Sequence, residues 1–273
     1  MDNNQLDTTK LSMYQVDAFT NRVFGGNSAA VVPLKDWLAT ETMQAIALEN
    51  NLSETAFFVP VENGRFHIRW FTPEVEVDLC GHATLAAAHI LFTELEPKRT
   101  QVEFNSLSGP LAVKQTDNLL TLDFPNRMPE QNSDEELANK LEDALGCKVE
   151  SVHLSRDTMV VVKDEQTVRA ISPDFAKLDA LNMFGFMVTA EGDEASIDFV
   201  SRFFAPSQGV NEDPVTGSAH CTLAPYWAQV LGKQQLTAQQ VSQRVGDLQC
   251  EVSSERVYIS GQCVTYLRGT IEI

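Results

Sequence analysis

Short runs in which apolar residues alternate with polar ones, or stand together, recur along this chain between turn residues. In the first half they are MYQVDAF, AAVVPL, TAFFVPV, RFHIRWF, QVEFNS, LAVKQ and LLTLDF; in the second, TMVVVK, FMVTA, IDFVSRFF, CEVS and RVYISG. Runs of this length, rich in β-branched and aromatic residues, predict strands. Apolar spacing of three and four predicts helices over ATETMQAIALENN, HATLAAAHILFTEL, DEELANKLEDALG, SAHCTLAPYWAQVLG and TAQQVSQRVG. The result is an α+β pattern, with too few strand–helix alternations for a doubly wound sheet. DFPNRMPEQNSDEE, residues 123–136, interrupts it with two prolines and a polar, acidic stretch, and divides the chain into domains 13–127 and 128–273. The polar residues 1–12 read as a disordered extension.

The two halves resemble each other. RWFTPEVEVDLCGHATLAAAH (69–89) and RFFAPSQGVNEDPVTGSAHCTLAPYW (202–227) each run from an Arg through two aromatic residues to a Pro, a loop with an aspartate, and Gly-x-Ala at the start of an apolar helix. Pro73 pairs with Pro206, Asp78 with Asp213, Gly81 with Gly217, Ala83 with Ala219 and Ala88 with Ala224. An internal duplication giving two similar domains follows. ATLAAAHILF is apolar almost all round, so it predicts a central helix wrapped by sheet. Gly81 and Gly217 open two such helices, where unpaired N–H groups and the helix dipole attract an anion by roughly 0.3–1 kcal/mol each.

Charge gives that point its weight. The formal net charge of −18 disfavours nucleic acid and anionic membranes as partners. A carboxylate substrate must therefore be attracted locally, and paired helix entrances do so without Lys or Arg. No stretch approaches the roughly 18–20 apolar residues that span a bilayer, and five cysteines without a CxxC pair fit reduced thiols in the cytoplasm.

Several residues are candidates for chemistry. DLCGHAT (78–84) sets Cys80, Gly81 and His82 against a helix start, an arrangement open to metal binding, thiol chemistry, anion binding or plain helix packing. Glu54 in LSETAFF stands beside aromatic bulk at a strand start, partly desolvated and suited to move a proton; a solvated turn residue is the plainer alternative. Asp213 and Ser218 flank the second glycine, where acids and serines are also common as caps. His82, His89, Cys80 and His220 lack compact metal-ligand spacing, so no metal is expected.

Taken together, YQVDAFTNRVFGGNSAAVV, ENNLSETAFFVP, FTPEVEVDLCGHATLAAAHIL and NEDPVTGSAHCTLAPYW resemble the phenazine-biosynthesis-like (PhzF) isomerase family, within the diaminopimelate-epimerase-like superfamily. The resemblance implies two similar domains, each a barrel-like, mostly antiparallel sheet around a central helix. The active site lies in the cleft between them, with the last strand free to pack back on the first domain. It also implies a homodimer that needs no cofactor or metal, and an isomerase that moves a proton along a small cyclic acid such as a dihydro-hydroxyanthranilate. Carried over by motif, Glu54 is the proton shuttle, assisted by His82, Asp213 and Ser218. Asn27, Ser53, Gly81, Thr216 and Gly217 bind substrate. Ser28 stands where the family usually has Pro, a change in loop stiffness more than in chemistry. Related epimerases of this fold use two opposed cysteines; here Cys80 holds the first position but Thr216 the second, which disfavours a two-thiol racemase. A Cys80-dependent epimerase and a catalytically silent small-molecule-binding protein are the competing readings.

Overall fold

The computed structural model describes residues 9–273. The first half comprises β1 (Lys10–Ala18), β2 (Asn27–Pro33), α1 (Thr40–Asn50), β3 (Glu54–Pro60), β4 (Phe66–Phe71), β5 (Glu76–Val77), α2 (Gly81–Ile90), β6 (Gln101–Ser106), β7 (Gly109–Thr116) and β8 (Leu119–Pro125). After it come β9 (Glu130–Asn132), α3 (Glu135–Leu145), β10 (Ser151–Leu154), β11 (Thr158–Val161), α4 (Glu165–Ala170), α5 (Phe175–Asp179), β12 (Phe186–Glu191), β13 (Phe199–Ala205) and β14 (Val210–Asp213). The chain ends with α6 (His220–Leu231), β15 (Gln235–Gln240), β16 (Gly246–Val252), β17 (Arg256–Gly261) and β18 (Cys263–Glu272).

The pairing repeats between halves. β1 runs antiparallel to β2, β2 parallel to β3, β3 antiparallel to β4, and β4 antiparallel to β5 but parallel to β6, which begins the meander β6–β7–β8. From β10 onward the same series recurs as β10–β11, β11–β12, β12–β13, β13–β14, β13–β15 and the meander β15–β16–β17. β18 adds antiparallel to β1 as β9 adds to β10, and the β8–β17 ladder joins the halves.

Side chains repeat too. Arg69 on β4 holds Glu76 on β5 through two bonds of 2.7 Å, with its guanidinium 5.1 Å from the Phe71 ring. Arg202 on β13 holds Glu212 on β14 at 2.7 and 2.9 Å and lies 4.9 Å from Phe204. Each bidentate pair fixes a short strand whose continuation leads into a helix entrance.

Helix α2 is buried along its length except at His89, as its all-round apolar sequence requires, and packs against β1, β2, β3, β8 and β18. α6 packs against β15, β16 and β17. Pro225 within α6 has no N–H to give Cys221 O; Arg127 N–H supplies that bond at 3.0 Å, tying the connection between the halves to the helix. No helix among the described residues is long and apolar enough to cross a membrane.

The structure corrects several sequence expectations. Residues 237–246 are not a helix. Leu236, Ala238 and Gln240 are buried while Thr237 and Gln239 are half-exposed, a period of two that fits β15 between β13 and β16. Tertiary pairing overrides the helical spacing there. Residues 10–12, expected to be disordered, belong to β1 and pair with the end of β18; residues 1–8 lie outside the described residues. The boundary segment is ordered at both ends, 123–125 finishing β8 and 130–132 forming β9.

Candidate functional site

The two glycine entrances touch. A Cβ placed on Gly81 would stand 3.7 Å from the Cα of Gly217 and 3.6 Å from the Phe124 ring; one on Gly217 would stand 3.4 Å from the Phe19 ring. Gly217 opens a 3-10 turn (Gly217–Ala219) that runs into α6. Cys80 and Thr216 precede the two glycines in extended conformation, and neither side chain caps its helix.

Glu54 reaches the entrance of α2 from a different element. α1 ends on Asn51 in left-handed conformation, and the chain turns through Ser53 into β3, whose first residue, Glu54, is set beside Ala29 by the parallel β2–β3 pairing. Its Oε2 lies 3.0 Å from His82 Nε2. The contact is short, but it lies off the N–H direction, so both atoms are buried without an aligned hydrogen bond among the described residues. Buried polar atoms are ordinarily paired in good alignment, so this off-axis ion pair is an exception in the folded core.

Asn27, fully buried, is the hub. Its Oδ1 accepts from Ser53 Oγ at 3.1 Å, and its Nδ2 faces Asp213 Oδ1 at 2.7 Å, Val215 O at 3.0 Å and His82 Nδ1 at 3.2 Å. An amide nitrogen has two protons for these three neighbours. The bond to His82 therefore exists only while Nδ1 is unprotonated; in the charged ring, Nδ1–H faces Cys80 Sγ, 3.6 Å away. Thr216 donates to Asp213 Oδ2 at 2.6 Å.

These contacts set the ionisation. Burial pushes the Asp213 carboxyl up to about 6; His82 opposes this and the negative field of Glu54 adds to it. Burial works against a charged His82, yet Cys80 and Glu54 hold its pKa well above the ordinary value. Burial, with Glu54, pushes the Cys80 thiol up to about 11, so it is a poor nucleophile near neutrality.

Glu54, His82, Asp213, Asn27, Ser53 and Thr216 thus form one connected cluster beside Gly81 and Gly217. Ser218 sits half-buried in the 3-10 turn, and its hydroxyl makes no hydrogen bond among the described residues. His89 and His220 stand apart: His89 Nε2 meets Thr265 Oγ1 at 3.0 Å, and His220 Nδ1 donates to Thr216 O at 2.9 Å. A groove of about 490 Å³ over β15–β17 is lined by none of the cluster residues.

Sequence reasoning missed Gln240. Fully buried at the end of β15, its Nε2 donates to Asp213 O at 2.7 Å and faces Thr216 Oγ1 at 3.3 Å, while its Oε1 accepts from Thr216 N at 2.8 Å. It locks the turn that carries Asp213 and Thr216. The alternation of LTAQQ was the available signal, obscured by reading that stretch as helix.

Comparison with known proteins identifies the family and the fold. A Pseudomonas aeruginosa protein named an uncharacterized isomerase is 50% identical over 264 residues, covering 97% of this chain and 100% of the relative. The crystal structure of a PhzF-family phenazine biosynthesis protein from Enterococcus faecalis superposes with a TM-score of 0.93 at 48% identity, covering 97% of this chain and 100% of that one. A hydroxyproline epimerase from Agrobacterium vitis, at 10% identity, 97% and 93% coverage and a TM-score of 0.62, shares the fold alone, which is an α+β epimerase-like fold. The family model described as phenazine biosynthesis-like protein matches residues 16–269, and this chain belongs to that family.

Proposed function

We propose that this protein is a cofactor-independent isomerase of a small carboxylic acid, in which Glu54 alone carries the migrating proton. The observation that carries this reading is the Glu54–His82 contact: two buried polar atoms without aligned partners, set where the two glycine entrances meet. In the same reading the two topological repeats act as two similar domains, each a sheet around its central helix, with substrate held in the cleft between them. Backbone N–H groups at Gly81 and Gly217 hold the carboxylate and the negative charge that develops as the proton leaves. Glu54 takes a proton from a carbon α or vinylogous to the carboxyl and returns it to another carbon, so the double bond shifts and no electrons enter or leave. The imidazole of His82 stands 3.0 Å from the Glu54 carboxyl oxygen and steadies it for proton transfer. Asp213 and Ser53 hold the Asn27 amide beside the imidazole, and the free Ser218 hydroxyl and Thr216 bind substrate.

A Cys80-dependent epimerase fits less well. The thiol is buried with its pKa pushed up to about 11, and the residue that precedes the opposite glycine is Thr216, not a second cysteine. Candidate unsaturated or cyclic acids incubated in D2O are expected to gain deuterium at carbon, with the Glu54→Gln variant inert. Exchange unaffected in that variant would sink the assignment. A silent binding protein predicts carboxylate binding with no exchange at all.

A further inference from the structure

We propose that Glu54, Cys80 and His82 also form a binding site for a thiophilic divalent cation of the zinc class, and that its occupation closes the site to substrate. One carboxylate oxygen, one sulfur and one imidazole nitrogen lie within 4.8 Å of one another. Carboxylate, thiolate and imidazole together are the donor set zinc takes in proteins, with a fourth position left for water. The linear sequence conceals this set because Glu54 comes from β3, 26 residues before Cys80.

The bonding state of the cluster is an independent sign that it takes a ligand. His82 is 4% exposed and its Nε2, like Glu54 Oε2, has no aligned hydrogen-bond partner among the described residues. Cys80 Sγ borders the same imidazole, and the isomerase reading gives it no task. His82 presents Nε2 to Glu54 and Nδ1 to Cys80, so a single ion uses one ring nitrogen and a neighbour must adjust. Glu54, whose side chain is 18% exposed and held by its off-axis contact with His82, is the member that adjusts. Asp213 is bonded by Asn27 and Thr216 and stays outside the ligand set.

Binding is a proton-for-metal exchange. The thiol S–H and one N–H of the charged imidazole break, S–metal and N–metal bonds form, two protons leave to solvent for each ion bound, and no electron is transferred. An ion on Glu54 occupies the lone pair that would accept the substrate proton. Inhibition rests on the isomerase reading above; binding itself does not.

Co2+ titrated into the reduced full-length chain serves as the optical probe. A thiolate-to-cobalt charge-transfer band is expected to saturate at one ion per chain and to vanish on adding Zn2+. Cys80→Ser should lose the band while keeping its far-UV circular dichroism. Outer-shell changes alone cost about 10–100-fold in metal affinity, so His82→Gln, which removes a ligand, should weaken Co2+ binding at least 100-fold on that scale. Absence of the band in the wild-type chain, or its persistence in Cys80→Ser, overturns the proposal. The band without deuterium exchange refutes the isomerase reading alone; exchange without the band refutes the metal site alone.

Discussion

Gln240→Leu tests whether the turn beneath the site is held as described. Leucine has similar bulk, so the change removes hydrogen bonds and leaves little cavity. It strands the buried N–H of Thr216 and the part-buried C=O of Asp213, which bond to Gln240 at 2.8 and 2.7 Å. Each stranded group costs about 1–3 kcal/mol, so the expected loss of unfolding free energy is about 2–6 kcal/mol. Thr216 Oγ1 keeps its 2.6 Å bond to Asp213 and places the result toward the lower end of that range. Equilibrium urea unfolding, followed by near- and far-UV circular dichroism to verify a single coincident transition, reads the change from the midpoint at unchanged slope. A loss below about 1 kcal/mol would mean that water reaches these groups and that Gln240 does not lock the turn.

Gly81→Ala is expected to change stability by less than about 1 kcal/mol, since its Cβ meets neighbours only at ordinary contact distance, yet to abolish carboxylate binding measured by calorimetry. Asp213 has its folded pKa raised to about 6 from an ordinary value of 3.8, so the folded state binds the extra proton. The stability from this group is therefore complete below about pH 3.8 and is lost as pH rises through about 6, by at most about 3 kcal/mol. The difference in unfolding free energy between wild type and Asp213→Asn, measured across pH 4–8, should show that slope, and a flat difference would contradict it. Arg202→Leu strands the part-exposed Glu212 and removes bonds to the carbonyls of Ile171 and Val168, so a loss of about 1–3 kcal/mol is expected by urea unfolding.

Much of the clustered candidate site was legible in the sequence because its parts sit at helix and strand starts, where local chemistry is distinctive. A glycine opening an apolar helix, an acid before a run of aromatics and a repeated Arg-aromatic-aromatic motif are each visible within a few residues. Gln240 was not, because a glutamine in LTAQQV fits a helix as well as a strand, and only its neighbours β13 and β16 decide which. For the same reason β9, of three residues, and α5, of five, carry too little periodicity to stand out.

The sequence by itself determined the strands with strong alternation, the two buried helices and the duplication behind them, since burial imposes its period on the residues that undergo it. Tertiary structure alone decided what lies next to what. It brought Gly81 against Gly217, set His82 between Glu54 and Cys80, and gave Asn27 two protons to divide among three neighbours. Ionisation states follow from those distances, which no local pattern encodes: the same aspartate in an open loop would titrate near 3.8, and here burial moves it to about 6.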